Sequence, residues 1–581
     1  MNVPDFQREY VWQQDNVDRL LDDVFNEFCG EDNRPINDAE YFVGSIVVCL
    51  GEDGTYQLID GQQRMTTSFL ILCAIRDYLI EANANVPEAL KLQIASVSTN
   101  LQTGEDEFRY RLALQYEDSD HVLERIASRR TPIEDIQRTT ASVRNILAAY
   151  DTIKEFLKVN FDNDPARIKA FFATFTSRVK LIRIKTPNLT HALKVFETIN
   201  DRGIGLNSMD LLKNLLFIQT GSEDFPKLKQ YWKTLTDTLD KCKEKPLRFL
   251  RYYIMSQHTI DWTKGLREDG LYQWFVDNRD IVGIRREPLN FAKSLIARSQ
   301  EYSYFAEGKD PQGAPNPYLR NIALLSGAAR QHFILLLAGW HLAPELFKEL
   351  CRQIENLFFC YIITREPAKT FERNLPRWSP ELRAVKDEQG LEGFLEKYFK
   401  PDLAAHSKSF DFEFSQLSQS SIRQYRMRYI LAKLTQYVDE QAWGTMGIEQ
   451  YIDNKSVHIE HILPQSPTPG VKAAFDKPDE YATYVAKLGN LTLLEKTINA
   501  SVSNGPYQEK EQGYRQSKFL LTKSLVEKPQ VGKSTSLNRA VQDLPQFKEW
   551  VSESIEKRQA MLGQLARRVW LPDIAETSET R

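Results

Sequence analysis

One ordered stretch, residues 457–510, constrains the fold of this chain more than any other. An apolar run that carries Glu460 and His461 side by side ends in a proline-containing turn, and a second apolar run follows Asn490 and leads to Asn499. This pattern predicts the order strand, turn, strand, helix, which can gather Glu460, His461 and Asn499 around one divalent ion. Adjacent residues of a strand point to opposite faces, so the strand must end or bend at this pair if both serve the same ion.

The residue types suit metal-assisted hydrolysis. A carboxylate and an amide carbonyl are oxygen ligands of the kind that Mg²⁺ or Mn²⁺ prefers. A neutral histidine beside the ion can take a proton from a water molecule aimed at a phosphodiester. The alternative is that a single histidine in a mixed segment is a hydrogen-bonded structural group. His458 is either a second ligand or a stacking residue, and the preference of hard ions for oxygen favours stacking.

Composition limits the class of protein. A chain of 581 residues is too long for one hydrophobic core, so we expect two to four domains. The formal net charge of −4 means that any nucleic-acid surface must be a local basic patch. The six cysteines are scattered without a CxxC pair, and there is neither a signal-peptide core nor an apolar run of membrane-spanning length. We therefore predict a cytoplasmic protein with reduced thiols and no membrane partner.

A second candidate site lies near the N-terminus. Residues 41–50 and 56–59 predict a β-hairpin around an Asp-Gly turn. The return strand leads into a Gly-containing turn and a helix from about residue 65 to 80, through Asp60, Gly61, Gln62, Gln63 and Arg64. Free N–H groups and the dipole of a helix N-terminus attract anions, so this turn is a candidate phosphate site. A capped helix with a surface arginine explains the pattern nearly as well, and no GxxxxGK[ST] string supports a P-loop ATPase.

The segment between these regions, from about residue 222 to 445, has an almost entirely helical pattern. Its aromatic residues at helical spacing are more typical of a core than of a ligand site. Its arginine clusters, among them Arg423, Arg426 and Arg428, are by default solvated helix faces, but in an enzyme that cuts nucleic acid a fraction could line a duplex groove and contact phosphates. The predicted fold class of the whole chain is therefore α+β and mostly helical.

The C-terminal stretch resembles the HNH, or ββα-metal, nucleases. The resemblance is carried by the strings EHILPQS and GNLTLL, a later asparagine, and the pattern N-G-x-Y-x-x-K at residues 504–510. It points specifically to the HNH-like C-terminal domain of GmrSD-type, modification-dependent (Type IV) restriction enzymes. By this resemblance His461 is the general base, Asn490 orients it, and Glu460 and Asn499 bind the metal. Related nucleases more often carry aspartate in place of Glu460, whose extra methylene shifts the ion slightly.

The N-terminal strings FQREYVW, YFVGSIVV, LIDGQQRMTT and VFETINDRG resemble the N-terminal domain of the same family, which has a ParB/sulfiredoxin-like fold. The resemblance implies binding and hydrolysis of a nucleoside triphosphate. It assigns nucleotide binding to Gln7, Arg8, Asp60, Gly61, Gln62, Gln63, Arg64, Asn200, Asp201 and Arg202. Arg8 and Arg64 would bind phosphates, and Asp60 would hold a nucleotide-bound Mg²⁺ or orient water. Only MNVPD precedes this element, so either the native start lies upstream or this member lacks the helix that relatives carry there.

These resemblances predict a nucleotide-binding domain at 1–220 with a helical insertion, a helical middle domain at 221–445, and an HNH-like nuclease domain with a C-terminal helix at 446–581. They imply an endonuclease of anti-phage defence that depends on a divalent metal and depends on, or is regulated by, ATP, GTP or another NTP. Its partner would be modified phage DNA, for example with glucosylated hydroxymethylcytosine or phosphorothioate, and a homodimer is compatible. Two alternatives stay open: a nucleotide-sensing binding protein without nuclease activity, and an RNA-cutting abortive-infection effector.

Overall fold

The computed structural model describes the chain apart from residues 5–6, 8, 29–38, 52–53, 100–105, 116–118, 120, 131–134, 138–139, 163, 201–207, 261–265, 327–328, 503, 533–534, 573 and 575–581. The chain forms two compact units, one of residues 1–232 and 272–291, the other of residues 233–271 and 292–581. The helices from residue 292 to 445 thus share a unit with the C-terminal strands. The three-domain division remains a prediction.

The first unit contains a mixed β-sheet. Its strands are β1 (Asn2–Val3), β2 (Tyr41–Leu50), β3 (Tyr56–Asp60), a separate hairpin of β4 (Ala95–Thr99) and β5 (Asp106–Tyr110), then β6 (Ala113–Leu114) and β7 (Val179–Thr186). The sheet has the order β6-β1-β3-β2-β7. β2 and β3 are antiparallel across a turn that contains Gly54 at φ 73°, as the Asp-Gly pattern predicts. β7 joins β2 in parallel and forms an edge, where Leu181 and Ile182 remain largely exposed.

The helices up to residue 306 are α1 (Gln14–Phe28), α2 (Gln62–Glu81), α3 (Glu88–Ile94), α4 (Val122–Ser128), α5 (Ala141–Phe161), α6 (Pro165–Arg178), α7 (Leu189–Asn200), α8 (Ser208–Gln219), α9 (Phe225–Lys241), α10 (Pro246–Gln257), α11 (Leu271–Asp277) and α12 (Pro288–Ala306). In the first unit α2 packs against α3, α5 and α6. It is buried on most of its circumference, and its central residues 69–75 are apolar on all faces. Its N-terminus, directly after β3, is therefore held by the core.

The second unit continues with α13 (Pro317–Ser326), α14 (Phe333–Ala338), α15 (Pro344–Ile363), α16 (Ala368–Leu382), α17 (Glu388–Ser415), α18 (Gln424–Trp443), α19 (Glu449–Ile452), β8 (Val457–His461), α20 (Pro469–Ala474), α21 (Tyr481–Ala486), β9 (Leu491–Glu495), α22 (Lys496–Ser501), α23 (Tyr507–Gln516), α24 (Leu520–Lys523), α25 (Ser536–Val541) and α26 (Ser552–Trp570). β8 and β9 form a separate two-stranded sheet. The last helix, α26, contacts the segment that leads into β9. The buried Arg558 of α26 donates from Nη1 to the carbonyl oxygens of Gly489 at 2.8 Å and Leu491 at 2.6 Å.

The predicted fold class, α+β and mostly helical, is confirmed by this arrangement. The ParB/sulfiredoxin-like and HNH assignments of the two ends remain predictions. Among the described residues, no helix combines the length and apolar character that a membrane crossing requires.

Candidate active site

Two strands and a short helix form the C-terminal candidate site. β8 pairs with β9 in antiparallel register, with Glu460 opposite Thr492 and His461 opposite Leu491. α22 follows β9 without a break and packs against both strands. The sequence order strand, strand, helix is therefore present, and it places Asn499 of α22 beside the sheet.

The adjacent Glu460 and His461 have different surroundings. Glu460 is buried, and its Oε1 accepts hydrogen bonds from Lys510 Nζ at 2.7 Å and from Tyr514 OH at 3.0 Å. His461 lines a cavity of 480 Å³ that Glu460 does not line. The side chains of this pair keep the alternation of a regular strand, so the strand does not bend here as a shared ion would require. The carboxylate of Glu460 is instead directed toward α23.

His461 is held by a residue from a distant segment. Its Nε2 lies 2.8 Å from Oε1 of Gln419, and because an amide oxygen only accepts, this bond places the ring proton on Nε2 and the lone pair on Nδ1. Gln419 is itself positioned through its backbone N–H, which donates to the carbonyl oxygen of Ala486 at 2.8 Å. Burial, and secondarily the cation of Lys510, lowers the pKa of His461 to about 4, so the ring is neutral at pH 7.

The cavity gathers residues from two helices, one strand and two connecting segments. Its lining comprises Gln419, Gln424, Arg428, His458, Ile459, His461, Gln465 and Asn499. Asn499 Nδ2 lies 3.4 Å from His458 Nδ1, while Asn499 Oδ1 is buried and accepts no hydrogen bond from the residues that the structure describes. His458 therefore contacts the predicted metal ligand and lines the same cavity as the predicted base.

Asn490 takes a different place from the one the resemblance implies. It is fully buried; its Oδ1 accepts from Leu463 N at 2.6 Å and Trp550 Nε1 at 2.9 Å, and its Nδ2 donates to the carbonyl oxygens of Leu463 and Val485, both at 3.0 Å. These bonds use both donors and both acceptor positions of the amide. Asn490 thus fixes the turn after His461, whereas Gln419 bonds the ring.

The polar groups of this region suit a hard cation. The described part of the chain contains no cluster of three or more His, Cys, Asp or Glu side chains fit for a metal. However, Mg²⁺ commonly uses one or two protein oxygens and completes its shell with water and substrate phosphate. Asn499 Oδ1 is a buried acceptor without a described donor, and such an atom is costly unless a cation or water meets it. Both bonds to Glu460 end on Oε1, but this carboxylate does not line the cavity of Asn499, so the two predicted metal ligands do not face the same cavity.

The N-terminal candidate site begins at a strained turn. Gly61 has φ 85°, and a Cβ on it would lie 2.6 Å from Cγ2 of Ile46, so both the backbone and the space require glycine. Gln63, in the first turn of α2, accepts at Oε1 from Val11 N at 2.9 Å and donates from Nε2 to the carbonyl oxygen of Glu9 at 2.9 Å. The structure therefore brings residues 9–11 against the predicted phosphate turn.

The charged residues of this turn pair with each other. Arg64 Nη1 donates to the carbonyl oxygen of Val43 at 3.0 Å, and its Nη2 lies 3.7 Å from Asp60 Oδ2. Burial raises the pKa of Asp60, against the opposing effect of Arg64. Gln7 Nε2 and Gln62 Oε1 are buried without a partner among the described residues.

Other predicted nucleotide residues lie outside this description. Arg8, Asp201 and Arg202 are not among the described residues, nor is the side chain of Asn200, which ends α7. Their predicted roles stay predictions.

Sequence reasoning missed the bond of Gln419 to His461 and gave Lys510 and Tyr514 no contact with Glu460. Lys510 closes the N-G-x-Y-x-x-K pattern, and Tyr514 follows it by one helical turn, a spacing that could have marked both. Gln419 precedes the motif by tens of residues and carried no signal, whereas Arg428 belongs to an arginine cluster of which a fraction was expected to contact phosphates.

Comparison with known families covers both candidate sites. Residues 1–217 match the family model described as GmrSD restriction endonuclease, N-terminal domain, and residues 405–565 match that described as GmrSD restriction endonucleases, C-terminal domain. No curated protein matches the chain. The matches occur in the order that the sequence resemblance implies and include all the site residues considered above. The chain belongs to the GmrSD-type restriction endonuclease family.

Proposed function

We propose that the chain is a metal-dependent DNA endonuclease in which His461 is the general base. The observation that carries the proposal is a neutral imidazole, held by Gln419 in a cavity that also contains the unpartnered oxygen of Asn499. A base of this kind must be unprotonated and fixed in orientation before substrate arrives. A restriction endonuclease acts on DNA, so the cavity would receive a phosphodiester.

In the proposed reaction, His461 takes a proton from the attacking water at Nδ1, the nitrogen with the lone pair. Gln419 keeps the ring oriented, and Lys510 fixes the backbone at the same residue by donating to the carbonyl oxygen of His461 at 2.7 Å. A divalent ion bound at Asn499 would supply charge stabilisation for the phosphodiester and its departing 3′-oxygen, whereas Glu460, the other predicted ligand, does not line this cavity and is paired with Lys510.

We further propose that the N-terminal turn binds an NTP that regulates cutting. α2 is 20 residues long, and its first backbone N–H groups follow a glycine turn, which favours a phosphate. Gln7 Nε2, which is buried without a partner among the described residues, supplies a further amide donor for the same predicted site. The preferred substrate in this proposal is modified DNA, as the family resemblance implies.

Cleavage of modified and unmodified phage DNA with Mg²⁺ and NTP tests the nuclease. We expect cutting by the parent protein, loss of at least a hundredfold in His461→Ala, and full activity in His341→Ala, an exposed histidine outside the cavity. If His461→Ala cuts DNA as fast as the parent protein, His461 is not the general base. Cleavage of labelled RNA but not DNA would favour the effector alternative.

Arg64→Ala tests the regulatory link. If the N-terminal turn binds phosphate, this variant should lose NTP turnover and change DNA cleavage together. Lost turnover with unchanged cleavage would mean that the nucleotide does not regulate the nuclease. Absence of any nuclease activity in the parent protein, with intact NTP turnover, would favour the nucleotide-sensing alternative.

A further inference from the structure

Arg428 brings a cation into the nuclease cavity from outside the two strands and the helix of the motif. It lies on α18 and is half-buried. Its Nη1 donates to the carbonyl oxygen of Val457, the first residue of β8, at 2.9 Å. This bond sets the guanidinium beside His458 and His461 in the lining of the same cavity.

The guanidinium has no anionic partner within the described residues. Its single hydrogen bond goes to a neutral carbonyl, which leaves four of its five N–H groups for other acceptors. Burial lowers the pKa of Arg428, and Asp453 opposes this from a distance without forming an ion pair. A partly desolvated cation without a counter-ion is costly, and arginine normally offsets that cost with a carboxylate or phosphate.

The rest of the lining is equally free of negative charge. Besides Arg428 it consists of two imidazoles, four amide side chains and one isoleucine. The amides are neutral hydrogen-bonding groups, and among the described lining residues none carries a negative charge. Its volume of 480 Å³ lies within the range of small-ligand sites and admits a phosphodiester group.

We propose that Arg428 binds the scissile phosphodiester of the substrate and positions it against His461. This proposal rests on the proposed nuclease function and adds a residue that lies outside the ββα motif. The planar guanidinium can contact two non-bridging oxygens of one phosphate while it keeps its bond to Val457. α18 would thereby contribute directly to the nuclease site.

A purely structural role for Arg428 makes a different prediction. If its task were only to hold β8 through Val457, its removal would loosen the strand and leave the number of phosphate contacts unchanged. Each phosphate that a protein neutralises contributes about 0.9 to the slope of log affinity against log salt. The salt dependence of DNA binding therefore separates the two roles.

The test uses the full chain with the added substitution His461→Ala, in EDTA, and a 20-base-pair DNA duplex followed by fluorescence anisotropy. We expect Arg428→Gln to weaken binding and to lower the salt slope by about 0.9. Arg428→Lys should keep the slope, because the charge remains. The control Arg423→Gln removes an exposed arginine just before the same helix, outside the cavity lining, and should leave the affinity at this site unchanged.

Cleavage by the otherwise unchanged enzyme is the second measurement. Loss of a charge-assisted bond to phosphate should slow cutting by Arg428→Gln about tenfold to a hundredfold. Arg428→Lys should fall between this variant and the parent, and Arg423→Gln should match the parent.

Three results would overturn the proposal: an unchanged salt slope in Arg428→Gln, an equal effect of Arg423→Gln, or no binding of the duplex by the parent chain. Slower cleavage with an unchanged slope would assign Arg428 to strand support. If the slope depends on Arg428 but no DNA is ever cut, the proposed nuclease function fails while the phosphate contact stands.

Discussion

The buried ion pair between Lys510 and Glu460 gives the sharpest stability prediction. Lys510 is 2% exposed and Glu460 is 8% exposed, and their contact of 2.7 Å lies between α23 and β8. Lys510→Met keeps most of the apolar volume but leaves a buried carboxylate with only the hydroxyl of Tyr514 as a partner. Breaking a buried pair by removing one member typically costs about 3–5 kcal/mol, and we expect a loss in that range.

The measurement must report on this part of the chain. The chain has two compact units, so one unfolding transition cannot be assumed. Hydrogen exchange of the backbone amides in β8 and β9 reports the local free energy of opening instead. We expect protection there to fall by about two to three and a half orders of magnitude in Lys510→Met, since about 1.4 kcal/mol corresponds to a tenfold change.

A surface pair supplies the matched control. Lys487 lies 3.5 Å from Glu556, and the two side chains are 30% and 52% exposed. Lys487→Met should change the local free energy of opening by less than about 1 kcal/mol, because solvent screens such a pair. The double variant Lys510→Met/Glu460→Gln should recover part of the loss, since it removes the unpaired charge. Equal small effects of the two lysine substitutions would refute the reasoning.

Three further predictions concern other residues. Burial lowers the pKa of His332 to about 3, so below pH 6.5 the unfolded state binds a proton at this residue and the folded state does not. The free energy of unfolding should therefore fall by up to about 2 kcal/mol between pH 6.5 and 5. The variant His332→Phe should lack this fall, and denaturation of both proteins at the two pH values measures it. Gly61→Ala should lower the free energy of unfolding by about 1–2 kcal/mol because of the positive φ, and by more because the new Cβ meets Ile46. Gly54→Ala, at φ 73° with open space around it, should show the backbone cost alone. Equal unfolding midpoints of the two variants would contradict this. Asn490→Ala strips four partners and should cost at least about 3 kcal/mol, with loss of cleavage, measured by amide exchange and DNA cutting.

Local sequence patterns predicted the elements that are bounded by clear turn signals. The Asp-Gly turn between two apolar runs gave β2 and β3, and the turn at Gly61 gave the start of α2. The sequence predicts only a helical insertion in the N-terminal domain and does not predict the hairpin of β4 and β5. Val97 and Phe108 of this hairpin are about half exposed, so burial imposed no apolar alternation that could be recognised.

The C-terminal site was predicted in outline because its motif fixes the strands and the helix. The partners of each side chain were not predictable, since they come from distant segments. Glu460 and Lys510 are 50 residues apart, and nothing local indicates that a lysine would bond the predicted metal ligand. Asn490 was expected near the ring, but a buried amide surrounded by backbone groups satisfies its bonds with those groups.

The bond between Gln419 and His461 bears on how portable this nuclease module is. Ser418 pairs as an isolated bridge with Lys487, so the short link between α17 and α18 runs alongside the segment that enters β9. A transplant that started at residue 446 would carry the histidine but leave its acceptor behind, and the imidazole could then rotate freely. The smallest transferable piece must start upstream of α18, and a sequence change in that link could tune the nuclease without touching its motif.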